Sequence, residues 1–381
     1  MSVIILAALF LSFFYFLFAE KRESKMWIGR LKIYNINRIL TGSVILFVIV
    51  IGMSANRGIG DVAAFRSFYN YVKIYSGNPW DYTYELFAKV TDIFLTIVPE
   101  ATFFEYHAIL VFIIWIGIIF FYRKYIYCYN IVFFFYLLSG VFAHDGGQIK
   151  NFISVAFLIC GLIFLLEDDI KNIILYYVFI VTATLFHFSF VIYIFLPIIK
   201  TRWFNVNKNN LPIIGGAIYV VLLLNGTVLT ASLLRFLSHF PMMAKLNSYS
   251  STYAGVRSLV PVAIYYIMLY VFYCLKFNLS ELDAKKAKLF YVVYSIWILM
   301  GIFLPFLIYA NAVYRFYRNL YIPISAIMSN VIVSIPRFAK RRIYLSCTVL
   351  IFVFAVFMYT IVMGQWKDAF LPIIQGDFFW K

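Results

Sequence analysis

The chain has 381 residues, 64% of them hydrophobic and only 13% charged. That balance excludes a soluble globular fold and predicts an all-α polytopic integral membrane protein. In such a chain a net charge of +16 serves first to fix topology and meet anionic head groups, and no nucleic-acid motif accompanies it.

The N-terminal run "SVIILAALFLSFFYFLFAEKRESK" carries its basic cluster after the apolar stretch, which predicts a retained first helix with its N-terminus outside. Crossing a hydrocarbon core of about 30 Å takes roughly 20 apolar residues. In chain order the spans fall near 3–19, 39–55, 104–121, 126–143, 149–166, 211–225, 259–275, 289–309, 320–335 and 343–363. The stretch Glu85 to Pro99 has apolar residues at helical spacing but also Lys89 and Asp92, so it is expected to lie along the membrane surface. Cys128, Cys160, Cys274 and Cys347 occur singly, without the paired spacing of metal or redox sites.

Between the fifth and sixth spans, a run without formal charge from Asn172 to Ile199 contains His187. As one helix these residues would extend about 42 Å. As two legs meeting near His187 they would return to the side they left. The positive-inside rule separates the options. With a hairpin, the cytoplasmic loops hold 20 of the 32 basic residues against 7 of the 16 acidic ones. A single crossing would turn three basic loops outward. The predicted architecture is therefore about ten full spans plus a helical hairpin around His187. Both termini lie outside, and one membrane domain, 1–381, has outer loops 56–103, 144–148, 226–258 and 310–319.

These outer loops carry cations on the side the charge rule disfavours. Arg57 and Arg66 accompany Asp61 and Tyr69 in the first, and "HDGGQIKN" gathers His144, Asp145, Gln148 and Lys150 at a helix start. The stretch 225–258 has Arg235, Lys245 and Arg257 and no acidic residue, and Arg315 and Arg318 stand three apart in the last loop. An anionic ligand is the simplest reason, since the guanidinium fork matches phosphate oxygens and Lys adds a compact charge. Such loops suit a diphosphate held without a metal: the histidines are scattered, and the acidic run 167–169 faces the cytoplasm. No metal and no cofactor is expected.

Several patches resemble the EpsG family of bacterial exopolysaccharide proteins, which belong with the Wzy-type polymerases. "NRGIGDVAAFRSFY" is similar to the family's Arg, Gly-Asp and spaced aromatics, matching Arg57, Asp61, Phe65 and Tyr69. "GQIKNFISVAFLICG" resembles its Ile-Arg-Gln helix start, with Lys150 in place of Arg and Asn151 in place of Gln. "LFHFSFVIYIFLP" resembles its Phe-His-x-Ser-Ala stretch, with Phe190 replacing the small residue, and "YRFYRNLY" a late Tyr-Arg patch that selects Arg315. "AKLNSYSSTY" adds Lys245 and Tyr249.

The resemblance implies polymerisation of undecaprenyl-diphosphate-linked oligosaccharide repeat units at the outer face of the bacterial cytoplasmic membrane, in capsule, exopolysaccharide or O-antigen synthesis. It also implies a flippase and a chain-length regulator as partners. That chemistry needs a base for the acceptor hydroxyl and stabilisation of the departing diphosphate. Arg57, Lys150, Lys245 and Arg315 suit the diphosphate first, with Arg66, Arg235 and Arg318 behind them. His187 and Asp61 are the first candidates for catalysis, His187 preferred as base. Tyr69, Tyr249, His144, Asp145 and Gln148 are placed at the sugar. Two other readings stand beside this one: a glycosyltransferase using a polyprenyl-phosphate sugar, and a transporter of lipid-linked oligosaccharide.

Overall fold

A computed structural model describes residues 2–19, 33–54, 60–75, 85–224, 255–308 and 313–360, and among them every regular element is helical. Five helices are long and apolar enough to cross a membrane: Phe103–Tyr122, Ile149–Leu166, Leu259–Lys276, Ala284–Ile308 and Lys340–Thr360. Shorter apolar helices accompany them. Their outward stripes remain apolar. In Phe103–Tyr122, Phe112, Ile113, Ile116 and Phe120 are exposed while Val111, Trp115, Ile118 and Tyr122 are buried, as expected where lipid replaces water. The contacts divide into two compact units.

The first unit comprises Met1–Phe195, Asn278–Leu289 and Ile322–Lys381. It contains α1 (Ser2–Phe18), α2 (Ile33–Ser54), α3 (Gly60–Tyr75), α4 (Glu85–Ile97), α5 (Phe103–Tyr122), α6 (Tyr129–Leu138), α7 (Val141–Gly147), α8 (Ile149–Leu162) and α9 (Ile170–Phe186). One end of this unit is closed by polar pairs between helix ends and the connections beside them. Glu167 pairs with Lys288 at 2.9 Å and Glu281 with Arg341 at 2.9 Å. Asn330 accepts from the Tyr127 backbone at 2.8 Å and donates to the Tyr125 carbonyl at 2.6 Å. At the same end the buried Arg342 donates to the carbonyls of Phe16, Ala19 and Ile335 at 3.2, 2.8 and 3.2 Å, capping the last turn of α1.

The predicted surface helix over Glu85 to Pro99 is α4, paired with α3. The buried Tyr69 hydroxyl and Lys73 both donate to the Ala101 carbonyl, at 2.6 and 3.1 Å, which pins α3 over the turn leading into α5. Thr102 and Glu105 start α5 with a reciprocal capping box.

The span predicted over 126–143 is not one helix. It stops at Leu138, and Gly140, at φ 72°, turns the chain into α7. A side chain at Gly140 would sit in the left-handed region, which costs about 1–2 kcal/mol for an L-residue. Gly140→Ala is expected to lower the melting temperature in detergent and Gly140→Asn to lower it less. Equal melting of the alanine variant and wild type would rule out a constrained turn.

The run around His187 breaks where the sequence predicts. α9 ends at Phe186, His187 is extended (φ −148°, ψ 107°), and a 3₁₀ segment, Phe188–Lys200, follows. The legs face each other, because the Tyr176 hydroxyl donates to the Tyr193 carbonyl across the turn. The 17 and 13 residues of the legs correspond to roughly 25 Å each at 1.5 and 2.0 Å per residue.

The second unit comprises Leu196–Phe277 and Phe290–Tyr321. The helix Leu211–Leu224 packs along the 3₁₀ segment Gly301–Ile308, and Tyr266 donates to the Pro212 carbonyl at 2.8 Å. Tyr265 stacks on Trp297 at 5.5 Å, and Tyr317 closes edge-on against both rings while donating to the Met300 carbonyl at 2.9 Å. This aromatic trio anchors the short helix Tyr314–Arg318.

Candidate functional site

Polar side chains collect at the end of the first unit where α2 and α9 finish and α7 and α8 begin. Gly146 lets α7 approach α2: a Cβ there would stand 2.5 Å from the Met53 carbonyl oxygen. The neighbouring Asp145 is buried, and its Oδ2 accepts from the Tyr136 hydroxyl at 2.7 Å. Gln148, buried, stands at the N-cap position of α8 without a side-chain cap, and Lys150 in the first turn is 7% exposed.

One carbonyl ties this helix start to His187. The Ser154 hydroxyl lies 3.0 Å from the Lys150 carbonyl oxygen and 2.8 Å from that of Ala183, which also accepts the His187 backbone N–H at 2.9 Å. Lys150 and His187 therefore occur at the same end of the α8–α9 pair. The His187 ring is half-buried, with Nδ1 2.7 Å from Ser189 Oγ. When Nδ1 carries the proton and donates to Ser189, Nε2 has the lone pair that a base needs.

His144 Nε2 lies 3.2 Å from the Thr360 carbonyl oxygen, and the Thr360 hydroxyl donates to the Ser139 carbonyl oxygen at 2.7 Å. The end of the helix Lys340–Thr360 thus braces the α6–α7 turn.

The remaining candidates divide by position. Asp61 and Arg66 are exposed on α3. Tyr69 does not present a face for a sugar: it is buried, stacked on Tyr106 at 5.2 Å, and its hydroxyl is committed to Ala101. Burial, and after it the Glu105 carboxylate, raises its phenol above the ordinary value, so it remains a donor at neutral pH. Arg315, half-buried, and Arg318, buried, belong to the second unit. Arg57, Arg235, Lys245 and Tyr249 lie outside the described residues.

Two partners in this cluster are not legible in the sequence. Tyr136 is one of 31 tyrosines, and only the reversal at Gly140 brings Asp145 to it. Ser154 is a lone serine in an apolar helix. His107 is also fully buried, with neither ring nitrogen hydrogen-bonded and its ring 5.8 Å from that of Phe103.

Comparison with known proteins matches the EpsG family model to residues 37–373. No curated protein and no solved structure matches the chain.

Proposed function

The chain belongs to the EpsG family, the family of Wzy-type polysaccharide polymerases, and on that premise we propose that it joins undecaprenyl-diphosphate-linked oligosaccharide repeat units at the outer face of a bacterial cytoplasmic membrane. The observation that carries this reading is the gathering of Asp145, Gln148, Lys150 and His187 at one end of the first unit, with Lys150 and Asp145 buried. Intramembrane ionisable residues are costly and usually serve a ligand path.

In the proposed reaction His187 Nε2 takes the proton of the acceptor hydroxyl as that oxygen bonds to the anomeric carbon. Ser189 holds the opposite nitrogen. The bond from that carbon to the lipid diphosphate breaks, and the ammonium of Lys150 offsets the charge gathering on the departing oxygen. Arg57, Lys245 and Arg315 are further diphosphate ligands on sequence grounds, with Arg66, Arg235 and Arg318 behind them. Asp61 is the alternative base.

The orientation draws support from the Glu167–Lys288 pair at 2.9 Å. It joins the stretch before the His187 run to the stretch after Leu259–Lys276. With the spans expected near 211–225 and 259–275, the hairpin reading puts both stretches on one side, whereas a single crossing of the His187 run would put them on opposite sides. The hairpin reading predicts that, once the exposed Cys347 and half-buried Cys274 are replaced, single cysteines at positions 61 and 188 label from outside. Those at 168, 206 and 338 should label only after permeabilisation. Outside labelling at 206 would favour a single crossing.

The deciding experiment supplies purified protein in nanodiscs with lipid-diphosphate repeat units extracted from a strain lacking this protein. A ladder of longer glycans is expected. Consumption of a polyprenyl-monophosphate sugar instead would establish the other glycosyltransferase reading. Movement of lipid-linked units across vesicles without bond formation would establish transport.

A further inference from the structure

We propose that Tyr136 is a positioning residue, which orients the Asp145 carboxylate to receive a sugar hydroxyl of the lipid-linked unit; this rests on the polymerase reading above. Tyr136 is fully buried in the last turn of α6. The chain then doubles back. Ser139 Oγ donates to the Tyr136 carbonyl at 3.0 Å and accepts from the Val141 N–H at 3.3 Å, and Gly140 supplies the left-handed turn. α7 consequently carries Asp145 over the ring that precedes it by nine residues.

Packing aims the hydroxyl. The ring meets Trp115 edge-on at 5.1 Å, and the oxygen has Met53 Sδ at 3.8 Å on another side, a weak acceptor beside the Asp145 Oδ2 at 2.7 Å. Met53 and Gly146 are in backbone contact, so α2, α6 and α7 all fix the geometry of this pair. The Tyr136 hydroxyl, held on a rigid ring, fixes one carboxylate oxygen and so helps to set the plane in which both oxygens accept other donors. Sugar hydroxyls are the matching ligand: neutral O–H donors, whose bonds to a carboxylate are charge-assisted. Asp145 is three residues from Gln148 and five from Lys150, which places hydroxyl recognition beside the proposed diphosphate end of the same substrate.

Tyr136→Phe removes one oxygen and keeps the ring against Trp115. Repeat-unit binding and polymerisation are to be measured on wild type, Y136F, D145N and the double variant in nanodiscs. About a tenfold rise in KM and Kd is expected for Y136F, with kcat within twofold, as loss of one hydrogen bond to a charged group implies. D145N should raise KM at least as much, and Y136F should add nothing to it. Unchanged KM in Y136F, or a fall in kcat alone, overturns the positioning role. Should Y136F fail to fold, an unchanged KM in D145N overturns it instead. Polymerisation by wild type with normal KM in the variants removes this inference and spares the polymerase reading. Binding without polymerisation removes the polymerase reading, and the variants are then judged on Kd. Wild type that neither binds nor polymerises removes both.

Discussion

Lys150→Ala is expected to abolish polymer while single lipid-linked units accumulate and the protein stays at its normal level. The side chain is buried in the first turn of α8, at the end where α9 gives way to His187. A diphosphate that gains charge during bond breaking is the strongest acceptor in the proposed reaction, and an ammonium at this helix start would offset that charge. Removing one such donor typically costs about 10²–10³ in kcat. Lys150→Arg keeps the charge and adds a fork of donors, so it should retain polymer. Glycan ladders, lipid-linked units and immunoblots of membranes read the three quantities together. Undiminished polymer in K150A would remove the residue from the chemistry, and loss of the protein itself would mark Lys150 as structural.

Arg342→Ala is expected to act in the opposite way, on stability and protein level. Its guanidinium is buried at the other end of the first unit and reaches the carbonyls of Phe16, Ala19 and Ile335, with Leu17 at 3.5 Å. Phe16 is in the last turn of α1 and Ala19 directly follows that helix, and the last carbonyls of a helix need donors from outside it. Alanine would leave several buried acceptors short of a donor, on the order of 3 kcal/mol. Lysine, with one compact ammonium in place of a planar fork, should recover only part. Thermal melting in detergent, followed by size-exclusion of a fluorescent fusion, measures the effect. An R342A protein that melts with wild type would show that the cap contributes little. α1 precedes the residues matched by the family, 37–373, so this one side chain fastens an element outside the matched region.

Membrane character was legible in composition alone, because a chain this apolar cannot hide its hydrophobic surface from water by folding. The distribution of Lys and Arg predicted the reversal at His187, and the break appears there, with Tyr176 and Tyr193 joined across it. The charge rule draws on the cost of moving cations across a bilayer, which ties their distribution to the chain's path. The family patches likewise drew attention to Lys150 and His187, which share one end of the first unit.

What the sequence by itself could not supply is which of many similar side chains meet. The span predicted over 126–143 reads as continuous because Ser139 and Gly140 interrupt neither its hydropathy nor its length. Only the packed chain shows that it stops and turns. Tyr69 reads as a sugar platform by position but packs against Tyr106, while Tyr136 reads as core and holds a carboxylate. Hydropathy and charge report each residue's transfer between water and lipid, which is local. A hydrogen bond such as Tyr136 to Asp145, or Ser154 to Ala183, depends on the register of helices, which the three-dimensional packing of their side chains decides.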